Sequence, residues 1–139
     1  MNQNQIVEKL NKLLEISYAP YSAVKVSALI ITKNNQLYSG INIENMSFTP
    51  SICAERCAIF KAISENEKPQ NFLALHLKST TKKPLYPCGV CLQVMNEFFN
   101  KDTTIFIYDK NNQLFDSKKV YELLPKPTTI DKDEFFLWK

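Results

Sequence analysis

Three cysteines have the residue type and spacing of metal ligands. Cys88 and Cys91 form a Cys-x-x-Cys step, and Cys53 lies earlier in the chain. Two thiolates at this spacing reach one zinc ion, and a third ligand must come from elsewhere. Both groups lie at predicted helix starts, where unpaired N–H groups and partial positive charge stabilise thiolates. The pattern predicts a zinc site made by Cys53, Cys88 and Cys91.

Glu55, two residues after Cys53, is the candidate proton carrier. Three protein ligands leave a fourth tetrahedral position for water, which is the pattern of catalytic zinc. Residues i and i+2 do not face each other in a regular helix. In the first turn, however, both side chains can lean toward the space beyond the helix end. We therefore expect zinc to acidify the water and Glu55 to relay its proton, as in zinc deaminases with a Cys₃ ligand set.

The elements that must position these residues follow from apolar periodicity and turn residues. Thr49 is the predicted N-cap of the Cys53 helix, with Pro50 at its first position. The predicted helices span 6–16, 50–64, 87–99 and 120–124, and the predicted strands span 23–32, 36–43, 72–78, 103–108 and 113–116. This order predicts an α/β fold, a three-layer α/β/α arrangement around one mixed five-stranded sheet.

Composition restricts the class of protein. The 139 residues, 45% hydrophobic and 12% aromatic, predict a single domain over 1–139 and exclude a disordered tail. The net charge of +3 is spread along the chain, which argues against a nucleic-acid partner. No apolar run approaches a membrane span, so we expect no membrane partner and a cytoplasmic protein. In that compartment cysteines are metal ligands or reactive thiols more often than disulfides.

Five motifs resemble, in order, those of the small zinc-dependent nucleoside cytidine deaminases of the homotetrameric type. They are APYS at 19–22, GINIEN at 40–45, ICAERCAIFKA at 52–62, PCGVCLQV at 87–94 and ELLP at 122–125. The resemblance runs from about residue 18 to residue 125. It implies hydrolytic deamination of cytidine and deoxycytidine to the uracil nucleosides with release of ammonia, a step of pyrimidine salvage.

The resemblance also implies roles for individual residues. Asn42 and Glu44 would bind the ribose 3′-hydroxyl, and the backbone of Ala54 would contact the base. Cys53, Cys88 and Cys91 would hold zinc, and Glu55 would shuttle the proton. A homotetramer would complete each site from neighbouring subunits, with Phe48 standing where the family often has a tyrosine.

Three positions depart from the family pattern. Val24 replaces an aromatic wall for the base, Leu92 replaces an arginine after the last zinc cysteine, and Thr128 lies where a phenylalanine often serves a neighbouring site. Each lost aromatic contact would cost about 1 kcal/mol. The sequence thus predicts intact metal chemistry beside an altered base pocket. A deaminase of the same fold for another aminated nucleoside or a cytosine-bearing antibiotic remains an alternative.

A non-catalytic zinc-stabilised module is the second alternative. Cys57 lies four residues after Cys53 on the same helical face, so it could close a Cys₄ structural site. Arg56, the only arginine, could be a plain surface charge. Three thiolates on Zn²⁺ leave a charge of −1, however, and a guanidinium donating to the sulfurs would offset it. We therefore expect Arg56 to balance the thiolate charge.

Several other residues have ordinary structural interpretations. Asn42 and Glu44 alternate on a predicted strand, so they could belong to a solvated face. Gly40 and Gly89 could be turn glycines, and His76 is expected to be a buried or edge polar residue rather than a ligand. The aromatic residues near the chain end, Phe135, Phe136 and Trp138, are expected in the core or at a subunit contact.

Overall fold

A mixed five-stranded sheet carries the helices. The computed structural model describes residues 1–130. The strands are β1 (Val26–Thr32), β2 (Leu37–Ile41), β3 (Phe72–Ser79), β4 (Thr104–Tyr108) and β5 (Leu114–Lys118), in the sheet order β2-β1-β3-β4-β5. Among these five strands, β3 and β4 pair in parallel and the other neighbours pair antiparallel. The helices are α1 (Gln3–Ile16), α2 (Ala54–Ser64), α3 (Gly89–Phe98) and α4 (Val120–Leu123). The predicted α/β class and mixed five-stranded sheet are confirmed.

Alternation along the strands divides the core into two layers. Leu75 and Leu77 of β3 lie in the larger cluster, which includes the buried residues of α2 and α3. Leu29 and Tyr108 lie in the smaller cluster, which includes Leu10 of α1. The helices therefore cover the two faces of the sheet as separate layers, with α1 opposite α2 and α3.

His76 points to the α1 side of the sheet and lies outside the group of mutually close ligand atoms found in residues 1–130. Its ring stacks on Phe106 at a centroid distance of 4.9 Å. Its Nδ1 lies 3.0 Å from the Tyr108 hydroxyl. The side chain is buried, and burial lowers the pKa of His76 to about 4. The predicted buried polar residue is confirmed.

The predicted start of α2 is wrong by several residues. Thr49 does not cap the helix: α2 begins at Ala54, and its N-cap is Cys53. Residue 52 is held in extended pairing instead, since the backbone N–H groups of Ile43 and Ile52 each donate to the other residue's carbonyl, at 3.0 and 2.9 Å. Because this bridge keeps residue 52 extended, α2 begins after it, and Cys53 becomes the N-cap of α2.

The start of α3 shows the same shift. The sequence predicts a helix from Pro87, whereas α3 begins at Gly89 with Cys88 as its N-cap. Thus one cysteine lies at the N-cap of each of two neighbouring helices.

No helix within residues 1–130 combines the length and apolar character that a bilayer span requires. Phe135, Phe136 and Trp138 lie outside the described residues.

Candidate metal centre and active-site cavity

The three predicted ligand sulfurs converge where α2 and α3 begin. Their Sγ atoms all lie within 4.8 Å of one another. The Sγ atoms of Cys53 and Cys88 are 3.8 Å apart. A tetrahedral zinc ion with Zn–S bonds of about 2.3 Å holds its sulfurs about 3.8 Å apart. This all-thiol donor set therefore fits a zinc ion.

The backbone of α3 favours a thiolate at Cys88, and side-chain contacts favour one at Cys53. The backbone N–H of Cys91 donates to the Cys88 Sγ at 3.5 Å, within the first turn of α3. Hydrogen bonding with Cys91, together with the charge of Arg56, lowers the pKa of the Cys53 thiol to about 5 despite its partial burial. The same coupling to Cys53, together with burial, raises the pKa of Cys91. Between these two thiols, Cys53 is therefore the one that favours the thiolate form.

Cys57 does not belong to this cluster. The group of mutually close ligand atoms in the described chain contains Cys53, Cys88 and Cys91 and leaves Cys57 out. Cys57 is half-buried on α2, one turn beyond Cys53. The geometry therefore favours three protein ligands over a closed Cys₄ site.

Glu55 lies buried in the first turn of α2, next to the sulfurs. Its side chain is only 4% exposed, yet it lines the same cavity as Cys53 and Cys88. Burial raises the pKa of Glu55 to about 7, and the neighbouring Cys53 adds to this effect. A carboxyl group with this pKa both accepts and releases a proton near neutral pH.

Arg56 contacts the thiols from the other side of Cys53. Its Nη2 lies 3.7 Å from the Cys53 Sγ. Although burial opposes the charge, contacts with the thiols of Cys53 and Cys91 raise the pKa of Arg56. Its Nε is buried without a hydrogen-bond partner among residues 1–130. Leu92 is buried in the larger core cluster, so Arg56 alone brings a guanidinium to the sulfurs.

A cavity of about 380 Å³ opens in front of the cluster. It brings together most of the predicted site residues. Its lining includes Val24, Asn42, Glu44, Phe48, Cys53, Ala54, Glu55, Arg56 and Cys88. Cys91 is fully buried behind it, and Thr128 does not line it. The volume and the mixed polar and apolar lining suit a small organic molecule.

The side chain of Asn42 is largely engaged by its own protein. Its Nδ2 donates to the Val24 carbonyl at 2.8 Å, and its Oδ1 accepts from the Val26 N–H at 2.8 Å and from the Ser17 hydroxyl. One Nδ2–H remains for a ligand. Asn42 lies just after β2, which ends at Ile41 rather than at the predicted residue 43.

Glu44 is held by the loop before β1. Its Oε1 accepts from the N–H groups of Tyr21 and Ser22 at 3.0 and 3.1 Å, and its Oε2 accepts from the Ser22 hydroxyl. These hydrogen bonds lower the pKa of Glu44, the Ser22 hydroxyl contributing most. The carboxylate is therefore ionised and fixed at the cavity wall. Ser22 therefore positions Glu44, a role that the APYS motif at 19–22 does not by itself indicate.

The two glycines are not turn glycines. Neither has a positive φ. Gly40 lies within β2 against the first turn of α2, where an added Cβ would lie 2.5 Å from the backbone N of Ala58 and closer still to the carbonyl O of Ala54. At Gly89 an added Cβ would meet no atom within 4 Å. Gly40 is thus required for the close packing of β2 on α2.

Comparisons with known proteins agree with this site. Residues 1–107 match the family model described as the cytidine and deoxycytidylate deaminase zinc-binding region. The cytidine deaminase of Halalkalibacterium halodurans is 34% identical over 131 residues, which cover 94% of this chain and 97% of that protein. The cytidine deaminase of Sporosarcina psychrophila is 34% identical over 125 residues, 90% of each chain.

A solved structure shares the fold. The crystal structure of cytidine deaminase from Burkholderia pseudomallei superposes with a TM-score of 0.85 at 31% identity, covering 92% of this chain and all of that one. The family model spans most of the chain. It describes a zinc-binding region, which agrees with the three close thiols and the buried carboxyl group beside them. The chain belongs to the cytidine and deoxycytidylate deaminase family.

Proposed function

We propose that this protein is a zinc-dependent deaminase that converts cytidine and deoxycytidine to uridine and deoxyuridine, with water as co-substrate and ammonia as second product. One observation carries the proposal. The thiol cluster, the buried Glu55 carboxyl group and the polar side chains of Asn42 and Glu44 all border one cavity of nucleoside size. The membership of the deaminase family supports the same reaction.

Cys53, Cys88 and Cys91 would hold the zinc ion. The metal, when bound, supplies the Lewis acidity that makes water nucleophilic near neutral pH. Arg56 would donate to the Cys53 sulfur and offset the negative charge of three thiolates. Its contact with Cys53 supports this role, as does its buried Nε, which has no hydrogen-bond partner among the described residues. The guanidinium would thus keep the site electrophilic.

Glu55 would move the protons of the reaction. Its carboxylate takes a proton from water as the oxygen adds to C4 of the cytosine ring, and it delivers that proton to N3. A second proton then passes from the new C4 hydroxyl through Glu55 to the amino group, the C4–N bond breaks as the C4 carbonyl forms, and ammonia leaves. Burial supports this role because the carboxyl group is shielded from bulk solvent and lines the reaction cavity.

Asn42 and Glu44 would bind the sugar. The free Nδ2–H of Asn42 can donate to the 3′-hydroxyl, and the Glu44 carboxylate can accept from it. Both groups are already fixed by hydrogen bonds within the protein, so little side-chain entropy is lost on binding. The backbone of Ala54 would contact the base at the start of α2.

We also propose a homotetramer in the cytoplasm, acting in pyrimidine salvage. Phe48 and Met46 are 85% and 81% exposed in the described chain, and both line a second cavity beside the first. Exposed apolar side chains at a cavity rim are typical of surfaces that a partner covers. A neighbouring subunit would therefore complete the site. A reducing compartment would keep the four cysteines as thiols.

The test is ammonia release by the zinc-loaded protein from cytidine and deoxycytidine, compared with the Glu55→Gln variant. We expect the variant to keep its fold and its zinc and to lose at least about a hundredfold in kcat. No ammonia from either nucleoside would instead favour another aminated substrate, which the aliphatic Val24 at the cavity wall makes the second candidate. Equal activity of the variant and the wild type would refute the role of Glu55.

A further inference from the structure

Among residues 1–130, no aromatic side chain occupies the wall of the cavity at Val24, where the base would be expected to stack. Val24 is half-buried and lines the cavity with an aliphatic side chain. Val26, Ile52 and Leu77 also line it and are aliphatic. A pyrimidine ring gains most from a flat aromatic partner. A flat stacking partner for the base must therefore come from the other residues that line the cavity.

Within the described part of the chain, two aromatic residues line the cavity, Phe48 and Tyr86. Phe48 is 85% exposed and sits at the rim, whereas Tyr86 is 41% exposed. Tyr86 directly precedes Pro87, which restricts it to extended backbone conformations, and Cys88 follows. The position of Tyr86 is therefore tied to that of a ligand sulfur.

The phenol of Tyr86 is anchored at its far end. Its hydroxyl donates to Oδ2 of Asp116 on β5. Asp116 pairs with Ile107 of β4, so it lies on the face of the sheet that carries α2 and α3. The Asp116 carboxylate is itself held by the Ser117 N–H at 2.8 Å and by Lys118 at 3.6 Å. A ring fixed by its hydroxyl keeps its orientation without a ligand.

We propose that Tyr86 is a specificity-determining residue of this deaminase, and that its ring supplies the wall on which the planar pyrimidine base stacks. This inference rests on the proposed function, because it assigns a wall of the same substrate cavity. The ligands it selects are nucleosides with a flat, unsaturated base. The Tyr86 hydroxyl donates a hydrogen bond to Asp116, and this bond fixes the orientation of the ring.

The experiment measures binding of uridine and 5,6-dihydrouridine to the zinc-loaded protein by calorimetry. The two ligands share the sugar and the polar groups of the base, but saturation puckers the ring of dihydrouridine. We expect Tyr86→Leu to raise the Kd of uridine about tenfold, the effect of losing one aromatic partner of a base. The Kd of dihydrouridine should change less than about twofold. Tyr121, exposed on α4 and outside the cavity lining, gives the matched control Tyr121→Leu.

Two further variants separate the ring from its anchor. Tyr86→Phe keeps the ring and should preserve the preference for uridine, while Asp116→Asn keeps an acceptor for the hydroxyl and should do the same. Equal weakening of both ligands by Tyr86→Leu, or loss of the preference in a folded Tyr86→Phe, overturns the proposal. Failure of uridine to bind the wild type overturns it as well. Failure of the proposed function has a different signature, namely no ammonia release from cytidine by the wild type.

Discussion

Gly40→Ala tests whether the contact between β2 and α2 positions the catalytic groups. The new Cβ would lie 2.5 Å from the Ala58 N and closer to the Ala54 O, both backbone atoms that cannot rotate away. An ordinary contact requires at least 3.4 Å. The start of α2 must therefore move by roughly 1 Å, and an overpacked core loses about 1–3 kcal/mol of stability.

This displacement moves the first turn of α2, which carries Glu55 and follows the N-cap Cys53. A shift of about 1 Å in a catalytic group costs roughly a hundredfold in rate. We expect Gly40→Ala to unfold at lower urea concentration and to lose about a hundredfold in kcat/KM for cytidine. Urea denaturation followed by circular dichroism and steady-state ammonia release measure the two effects.

Gly89→Ala is the matched control, because Gly89 lies between two ligand cysteines and an added Cβ there meets no atom within 4 Å. Its free energy of unfolding should equal that of the wild type within about 0.5 kcal/mol. Its zinc content should be unchanged. If Gly40→Ala retains wild-type stability and rate, the contact does not position α2. If Gly89→Ala is the more damaging change, proximity to the metal matters more than the steric argument.

Three further predictions concern single side chains. Arg56→Lys should keep the fold and lower kcat about tenfold or more, since the ammonium cannot reproduce the guanidinium fork; unchanged turnover would contradict the charge-balancing role. Cys57→Ser should retain stoichiometric zinc by metal analysis, because Cys57 lies outside the ligand group; loss of the metal would favour a Cys₄ site. The pKa of His76 is lowered to about 4 in the fold against about 6.5 in the unfolded chain, so the unfolded state binds its proton first. The stability that the neutral ring contributes is present above pH 6.5, and about 3 kcal/mol of it is lost between pH 6.5 and pH 4. Denaturation curves of His76→Gln should lack this part of the pH dependence. An unchanged pH dependence in the variant would contradict the burial argument.

The strands and the Cys-x-x-Cys pair could be predicted because both depend on local patterns, whereas the approach of Cys53 to Cys88 joins residues 35 positions apart. A run rich in β-branched residues predicts β1, a nearly continuous apolar run predicts β3, and Cys-x-x-Cys at a helix start brings two sulfurs together. The order of elements then requires a mixed sheet.

The remaining features depend on partners far along the chain. The delayed start of α2 follows from the bridge between Ile43 and Ile52, which no capping pattern reveals. Asn42 reads as a free polar residue, yet its amide is fixed by Ser17, Val24 and Val26. The reason for a glycine at position 40 lies in the approach of a helix that begins fourteen residues later, at Ala54.

The N-cap of α2 links metal occupancy to local unfolding. In the described chain Cys53 accepts no capping hydrogen bond from its own helix, whereas the Cys88 sulfur accepts one from Cys91. A helix whose N-cap side chain bonds no N–H lacks about 1 kcal/mol that a capping side chain would contribute. The zinc ion, by fixing the Cys53 sulfur, would anchor the first turn that carries Glu55. Amide hydrogen exchange in that turn would therefore slow on metal loading, and the same ion would set both the local opening rate and the fraction of molecules ready to turn over.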